Sequence, residues 1–161
     1  MINLKITKNQ LERSKKLYDF KELNNSVTKG KGNIYGAVGE IAVHDYFKSK
    51  GLDVDFNSTF DYDMIVENYK IDVKSKKTTV FPQPHFLCNI FAHNIRQKCD
   101  FYFFVSVNEN MVDCHLLGYK KKEEFYKLAV FKKKGEKDIN GFVFKYDCYN
   151  LKLSQLDQFR F

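Results

Sequence analysis

Apolar and polar positions recur along this chain with two periods. Residues 8–23 carry Leu11, Leu17, Phe20 and Leu23 at spacings that predict a helix. Asn24 to Gly32 is polar and holds Lys29, Gly30, Lys31 and Gly32, which reads as a basic loop. Helical spacing returns from Asn33 to Lys50, with Gly51 as the stop. One stripe of this second helix is Ile34, Ala37, Val38, Ile41 and Ala42, and another line is Gly36, Glu40, Val43 and Phe47. A helix apolar on two faces is sandwiched within a fold. Glu40 is therefore expected to be buried and to need a partner, because an unpaired buried charge is costly.

The rest of the chain reads mostly as strands and turns. Leu52 to Asn57 is a short strand, and Tyr62–Val66 and Tyr69–Ser75 pair around Glu67 and Asn68. Thr78 to His85 contains both prolines and is a loop. Phe86 to Lys98 is expected to be helical, with Gln97 read as solvent-exposed in preference to facing the site. A second hairpin joins Phe101–Val107 to Met111–Gly118 through Asn108, Glu109 and Asn110. Lys120–Leu128 reads as a short surface helix, residues 129–134 and 142–149 have strand character, and Ser154 caps a last short helix. With no repeat and no linker, residues 1–161 read as one domain, residues 1–32 being an N-terminal helical and loop extension.

The first hairpin carries the candidate chemistry. Side chains alternate across a strand, so Ile71 and Val73 point one way and Asp72 and Lys74 the other. A two-residue turn at Glu67-Asn68 makes Val66 and Tyr69 neighbours. Counting outward in antiparallel register sets Asp63 opposite Asp72 and Asp61 opposite Lys74. Cross-strand neighbours have Cβ atoms about 4.5–5.5 Å apart. Two carboxylates that close repel, one pKa rises unless a cation lies between them, and an oxygen-rich site of this kind suits Mg²⁺ or Mn²⁺. The competing reading is a surface hairpin whose Asp61–Lys74 pair is an ordinary exposed ion pair.

The order of these features adds weight. A helix with Gly36-Ala37-Val38-Gly39-Glu40-Ile41-Ala42 is followed by Asp63 and then by Asp72-Val73-Lys74. Over residues 33 to 128 this resembles the PD-(D/E)XK nuclease superfamily, which has the restriction-endonuclease-like fold. Tyr62 stands where many members have proline, and the last element is Asp-x-Lys, not the commoner Glu-x-Lys. The resemblance implies an α/β fold, a central mixed sheet flanked by helices. It implies a metal-dependent nuclease (an endonuclease or other phosphodiester hydrolase) acting on DNA. Asp63 and Asp72 would hold Mg²⁺ or Mn²⁺, with Glu40 binding directly or through water and the Val73 carbonyl as a further ligand. Lys74 would complete the catalytic set. Two rivals stay open: a Holliday-junction resolvase or other structure-specific endonuclease of the same fold, and an inactive nucleic-acid-binding or assembly protein. A homodimer also stays open.

Composition changes the picture in one respect. The formal net charge is +7 and hydrophobic residues make up 43% of the chain, so this is a basic sequence able to build a core. A basic surface suits a polyanion, with Lys29, Lys31, Lys76 and Lys77 the expected nucleic-acid contacts. Lys120–Lys122 and Lys132–Lys134 read as solvated faces. No stretch is apolar enough to span a bilayer and the first residues lack the apolar core of a signal peptide. A cytoplasmic protein without a membrane partner is expected, of bacterial or bacteriophage origin. Cys88, Cys99, Cys114 and Cys148 form no Cys-x-x-Cys pair and read as small buried apolar residues. The His85, Cys88, His93 and Cys99 spacing is too tight for a zinc knuckle.

Overall fold

The computed structural model of the chain describes residues 1–23, 33–57, 59–138 and 141–159. In chain order its strands are β1 (Ile2–Lys5), β2 (Val54–Phe56), β3 (Met64–Val66), β4 (Tyr69–Thr78), β5 (Leu87–Phe91), β6 (Phe101–Asn108), β7 (Asp113–Lys121), β8 (Val130–Lys132) and β9 (Cys148–Lys152). The helices are α1 (Lys8–Leu23), α2 (Asn33–Ser49) and α3 (Lys122–Leu128). Six strands form one sheet in the order β1-β7-β6-β4-β3-β2 and three form a second in the order β5-β9-β8. β4 runs parallel to β6, and the other pairs of the large sheet are antiparallel. The architecture is mixed α/β.

Alternation along β4 divides the core in two. Ile71 and Val73 face α2 and pack with Val38, Ala42, Val43 and Phe47. Tyr102 and Phe104, the β6 partners of Asp72 and Lys74, lie in a second cluster with Phe125 of α3 and Ile90 and Leu151 of the small sheet. One face of the large sheet is thus covered by helix and the other by α3 and the small sheet. α2 is buried on every side from Ala37 to Val43, packed between α1 and the strands β4 and β6. Gln10 and Arg13 of α1 both bond to the Asp45 carboxylate of α2, Arg13 Nη1 at 2.8 Å. Gly39 permits the close approach of α2 to the sheet, since a Cβ there would stand 1.9 Å from Ser75 Oγ.

Five expectations are corrected, the first being Ser154 as the cap of a last helix: it lies inside the 3₁₀ turn Leu153–Gln155, whose N-cap is Lys152. Residues 86–98 are not a helix: β5 and a 3₁₀ turn at Ala92–Arg96 occupy them, because Cys88 and Ile90 alternate with outward Leu87 and Asn89 against β9. The strand expected at 142–149 begins at Cys148 and runs to Lys152, paired on both sides. Ile2–Lys5 forms an unanticipated edge strand on β7. Lys120 is not on a solvated face: it is buried and its Nζ lies 2.9 Å from Asp157 Oδ1. Gln97 is not exposed either, as described below. All four cysteines are buried and free. Among the described residues no helix is long and apolar enough to cross a membrane.

Candidate active site

The turn between β3 and β4 sets the register of the site. Val66 pairs with Tyr69, Ile65 with Lys70 and Met64 with Ile71. Glu67 takes φ +54°, an uncommon conformation for a residue with a side chain. It is held there by Asp53, whose carbonyl accepts the Glu67 N–H at 3.0 Å and whose N–H donates to Glu67 Oε1 at 2.9 Å. The ladder ends with the Met64–Ile71 pair, just short of Asp63 and Asp72.

Asp63 continues the pairing through both its main chain and its side chain. Its N–H donates to the Ile71 carbonyl at 2.9 Å, and its Oδ2 accepts the Val73 N–H at 2.8 Å. Beyond that point the chain of Asp61 and Tyr62 bends away from β4. Asp61 accordingly does not meet Lys74: its Oδ1 accepts the Lys98 N–H at 3.1 Å, and Lys74 Nζ is paired with Asp72 Oδ2. The expected Asp61–Lys74 pair is thus replaced by an Asp72–Lys74 pair within one strand, on the face shared by alternate residues.

Asp72 is 3% exposed, and its neighbours compete over its charge. Burial raises its pKa to about 7, Lys74 opposes that rise and the Asp63 carboxylate adds to it. Gln97, only 4% exposed, sends its Nε2 to Asp72 Oδ1 at 2.8 Å and to the Phe60 carbonyl at 2.7 Å. Gln97 therefore ties the loop before Asp63 to Asp72. Its own backbone is held by Lys122, whose Nζ donates to the Gln97 carbonyl. Lys74 Nζ also lies 5.6 Å from the ring centre of Tyr102, a cation–π arrangement. The Tyr102 hydroxyl in turn bonds the Asn94 carbonyl at 3.2 Å.

Glu40 is 5% exposed on α2, as its apolar line predicted. α2 covers the Ile71–Val73 face, whereas Asp72 and Lys74 project from the other. Gly36, one helical turn before Glu40, lines a cleft of about 410 Å³ together with Lys74, Ser75 and Lys76. That cleft runs along the part of β4 past the end of β3. Lys76 is exposed there, while Lys77 pairs with Glu109 at 3.2 Å. Lys29 and Lys31 lie outside the described residues.

Among the described residues no group of three or more His, Cys, Asp or Glu is arranged to hold a metal ion. The donors that do converge are two carboxylates. Asp72 Oδ2 is buried and has no hydrogen bond besides its ion pair with Lys74, which leaves acceptor capacity unused. The N–H and C=O of one strand residue face the same side, so the Val73 carbonyl shares the edge on which its N–H meets Asp63. Mg²⁺ commonly takes one or two carboxylates and completes its shell with water and phosphate oxygens, so this donor set fits it. No protein-family model matches the chain, and no curated protein matches it by sequence.

Proposed function

We propose that this chain is a Mg²⁺- or Mn²⁺-dependent nuclease that hydrolyses phosphodiester bonds in DNA, built on a restriction-endonuclease-like core. The observation that carries the reading is the convergence of Asp63, Asp72 and Lys74. Asp63 bonds the Val73 amide, and Asp72 and Lys74 pair on the adjoining face. Two neighbouring buried carboxylates are a poor structural device, since burial and mutual repulsion both oppose their charge. They are a good cation site.

In this reading Asp63 and Asp72 bind the cation, with the Val73 carbonyl beside them; Glu40, on the helix that covers the opposite face of β4, lies outside this ligand set. The bound cation would polarise the phosphoryl group and acidify a water molecule. Lys74 is paired with the Asp72 carboxylate. It donates hydrogen bonds to the attacking water or to a non-bridging phosphate oxygen, and it offsets the charge that builds there. Hydrolysis forms a bond from the water oxygen to phosphorus and breaks one phosphorus–oxygen ester bond. The water loses a proton and the departing oxygen gains one. Gln97 keeps Asp72 oriented, and Tyr102 supports the Lys74 ammonium. Lys76 contacts the substrate backbone.

The test is incubation of purified protein with single-stranded, duplex and four-way branched DNA in Mg²⁺, Mn²⁺ or EDTA. Metal-dependent cleavage supports the proposal. Preference for the branched form selects a junction resolvase, and binding without cleavage in either metal selects an inactive nucleic-acid-binding protein.

A further inference from the structure

The small sheet β5-β9-β8 has an outward face that the nuclease reading does not use. Leu87, Asn89 and Phe91 alternate outward from β5, while Cys88 and Ile90 are buried. A second cavity of about 510 Å³ opens over this face and is lined by Lys76, Asn89, Phe91, Lys145 and Tyr146 among others. Lys76, Leu87, Asn89 and Phe91 line both this cavity and the cleft beside Lys74, so the two adjoin along β5 and together make a trough.

Aromatic rings follow the same line. The His93 and Phe91 rings are stacked, with centroids 5.8 Å apart and an interplanar angle of 21°. Tyr146 meets Phe91 edge-on at 5.2 Å, with Tyr146 itself 62% exposed. Phe91 lines the cleft that also holds Lys74, so the ring series runs from that cleft to solvent at Tyr146. Exposed Lys76 and Lys145 stand along it.

We infer that this trough binds an unpaired nucleic-acid strand and leads it to the Asp72–Lys74 pair. The inference rests on the nuclease reading for its direction but not for its binding surface. Three observations select a single strand. Exposed rings offer stacking to bases, which only unpaired bases can accept. Lys76 and Lys145 offer cations to a phosphate backbone, with the Asp138 carboxylate in the same lining, and Asn89 has donor and acceptor groups for base edges. Each cavity also has the size of a pocket for a small ligand, about 300–1,000 Å³, enough for a nucleotide or two.

The experiment is fluorescence anisotropy of labelled oligothymidylate and of a blunt duplex with the full-length protein in EDTA, where metal-dependent cutting is silent. Tyr146→Leu should weaken single-strand binding by about tenfold, the loss of one stacked base. Tyr146→Phe should keep it, and duplex binding should change less than about twofold. The exposure of Tyr146 makes unfolding an improbable cause, and matching melting temperatures for the two variants check this. Equal single-strand affinity of the Leu and Phe variants overturns the inference, as does equal weakening for duplex, or no binding of the oligonucleotide. Cleavage plays no part in these readouts. Ring-dependent binding by a protein that never cuts would overturn the nuclease reading alone, and cutting without ring dependence would overturn the trough alone.

Discussion

The side-chain amide of Gln97 donates from Nε2 to Asp72 Oδ1 at 2.8 Å, joining a residue after the 3₁₀ turn to the centre of β4. This bond favours the ionised form of Asp72, opposing burial. Gln97→Ala should therefore raise the Asp72 pKa further above its usual range and starve the site of its cation at neutral pH. Cleavage near pH 7 should fall by about tenfold, and the acidic limb of the pH–rate profile should move upward, with the deficit narrowing in alkali. An unchanged profile would show that Gln97 merely fills space.

Asp72 also links stability to pH in the metal-free protein. Its folded pKa, about 7, lies above its ordinary value of 3.8. Folding thus favours the protonated form. The stability associated with that proton is complete below the ordinary value and is lost as pH rises through about 7. Asp72→Asn has no such loss. In EDTA its melting temperature should match wild type in acid and exceed it increasingly up to about pH 7, then stay higher by a constant margin. Parallel curves across the whole range would contradict the buried, repelled carboxylate.

Gly39 sets how close α2 lies to β4. Gly39→Ala brings a methyl group against Ser75 and should cost about 1–3 kcal/mol, as overpacking does. Urea denaturation would measure it. The same change should reduce cleavage, because it presses on Ser75, the β4 residue next to Lys74. A variant as stable as wild type would mean that Ser75 can turn aside freely.

Much of the hairpin was legible because its signals are local. A two-residue turn and strict alternation fix which side chains share a face, so the count holds from Val66–Tyr69 to Met64–Ile71 and stops there. Burial of Glu40 was legible for the same reason, as helical spacing set it on an apolar line. The Asp61–Lys74 pair failed because the count assumed that β3 runs on past Asp63, whereas Asp63 turns its carboxylate to the Val73 amide and ends the ladder. The 86–98 segment failed because Leu87, Ile90, Phe91 and Ile95 satisfy helical spacing as well as a short strand. Its true partner, β9, lies some sixty residues later, and no local signal announces it. Gln97 was misjudged as a consequence, since its place depends on where the strand and 3₁₀ turn deliver it. β1 is four residues long and gains its stability from β7, again a distant partner.

The central claim is that Asp63, Asp72 and Lys74 form a metal-dependent phosphodiester-cleaving centre. The most direct measurement sets Mg²⁺ or Mn²⁺ affinity, by calorimetry, beside DNA cleavage for wild type, Asp72→Asn and Lys74→Ala in mildly alkaline buffer. Asp72→Asn should bind the cation at least about tenfold more weakly, having lost one of two carboxylate ligands, and should regain part of its cleavage at high Mn²⁺. Lys74→Ala should keep the cation yet lose about a hundredfold or more in cleavage, because its ammonium acts on the phosphate and not on the metal. Cleavage and metal affinity equal to wild type in both variants would contradict the account and return Asp72–Lys74 to the status of a structural ion pair.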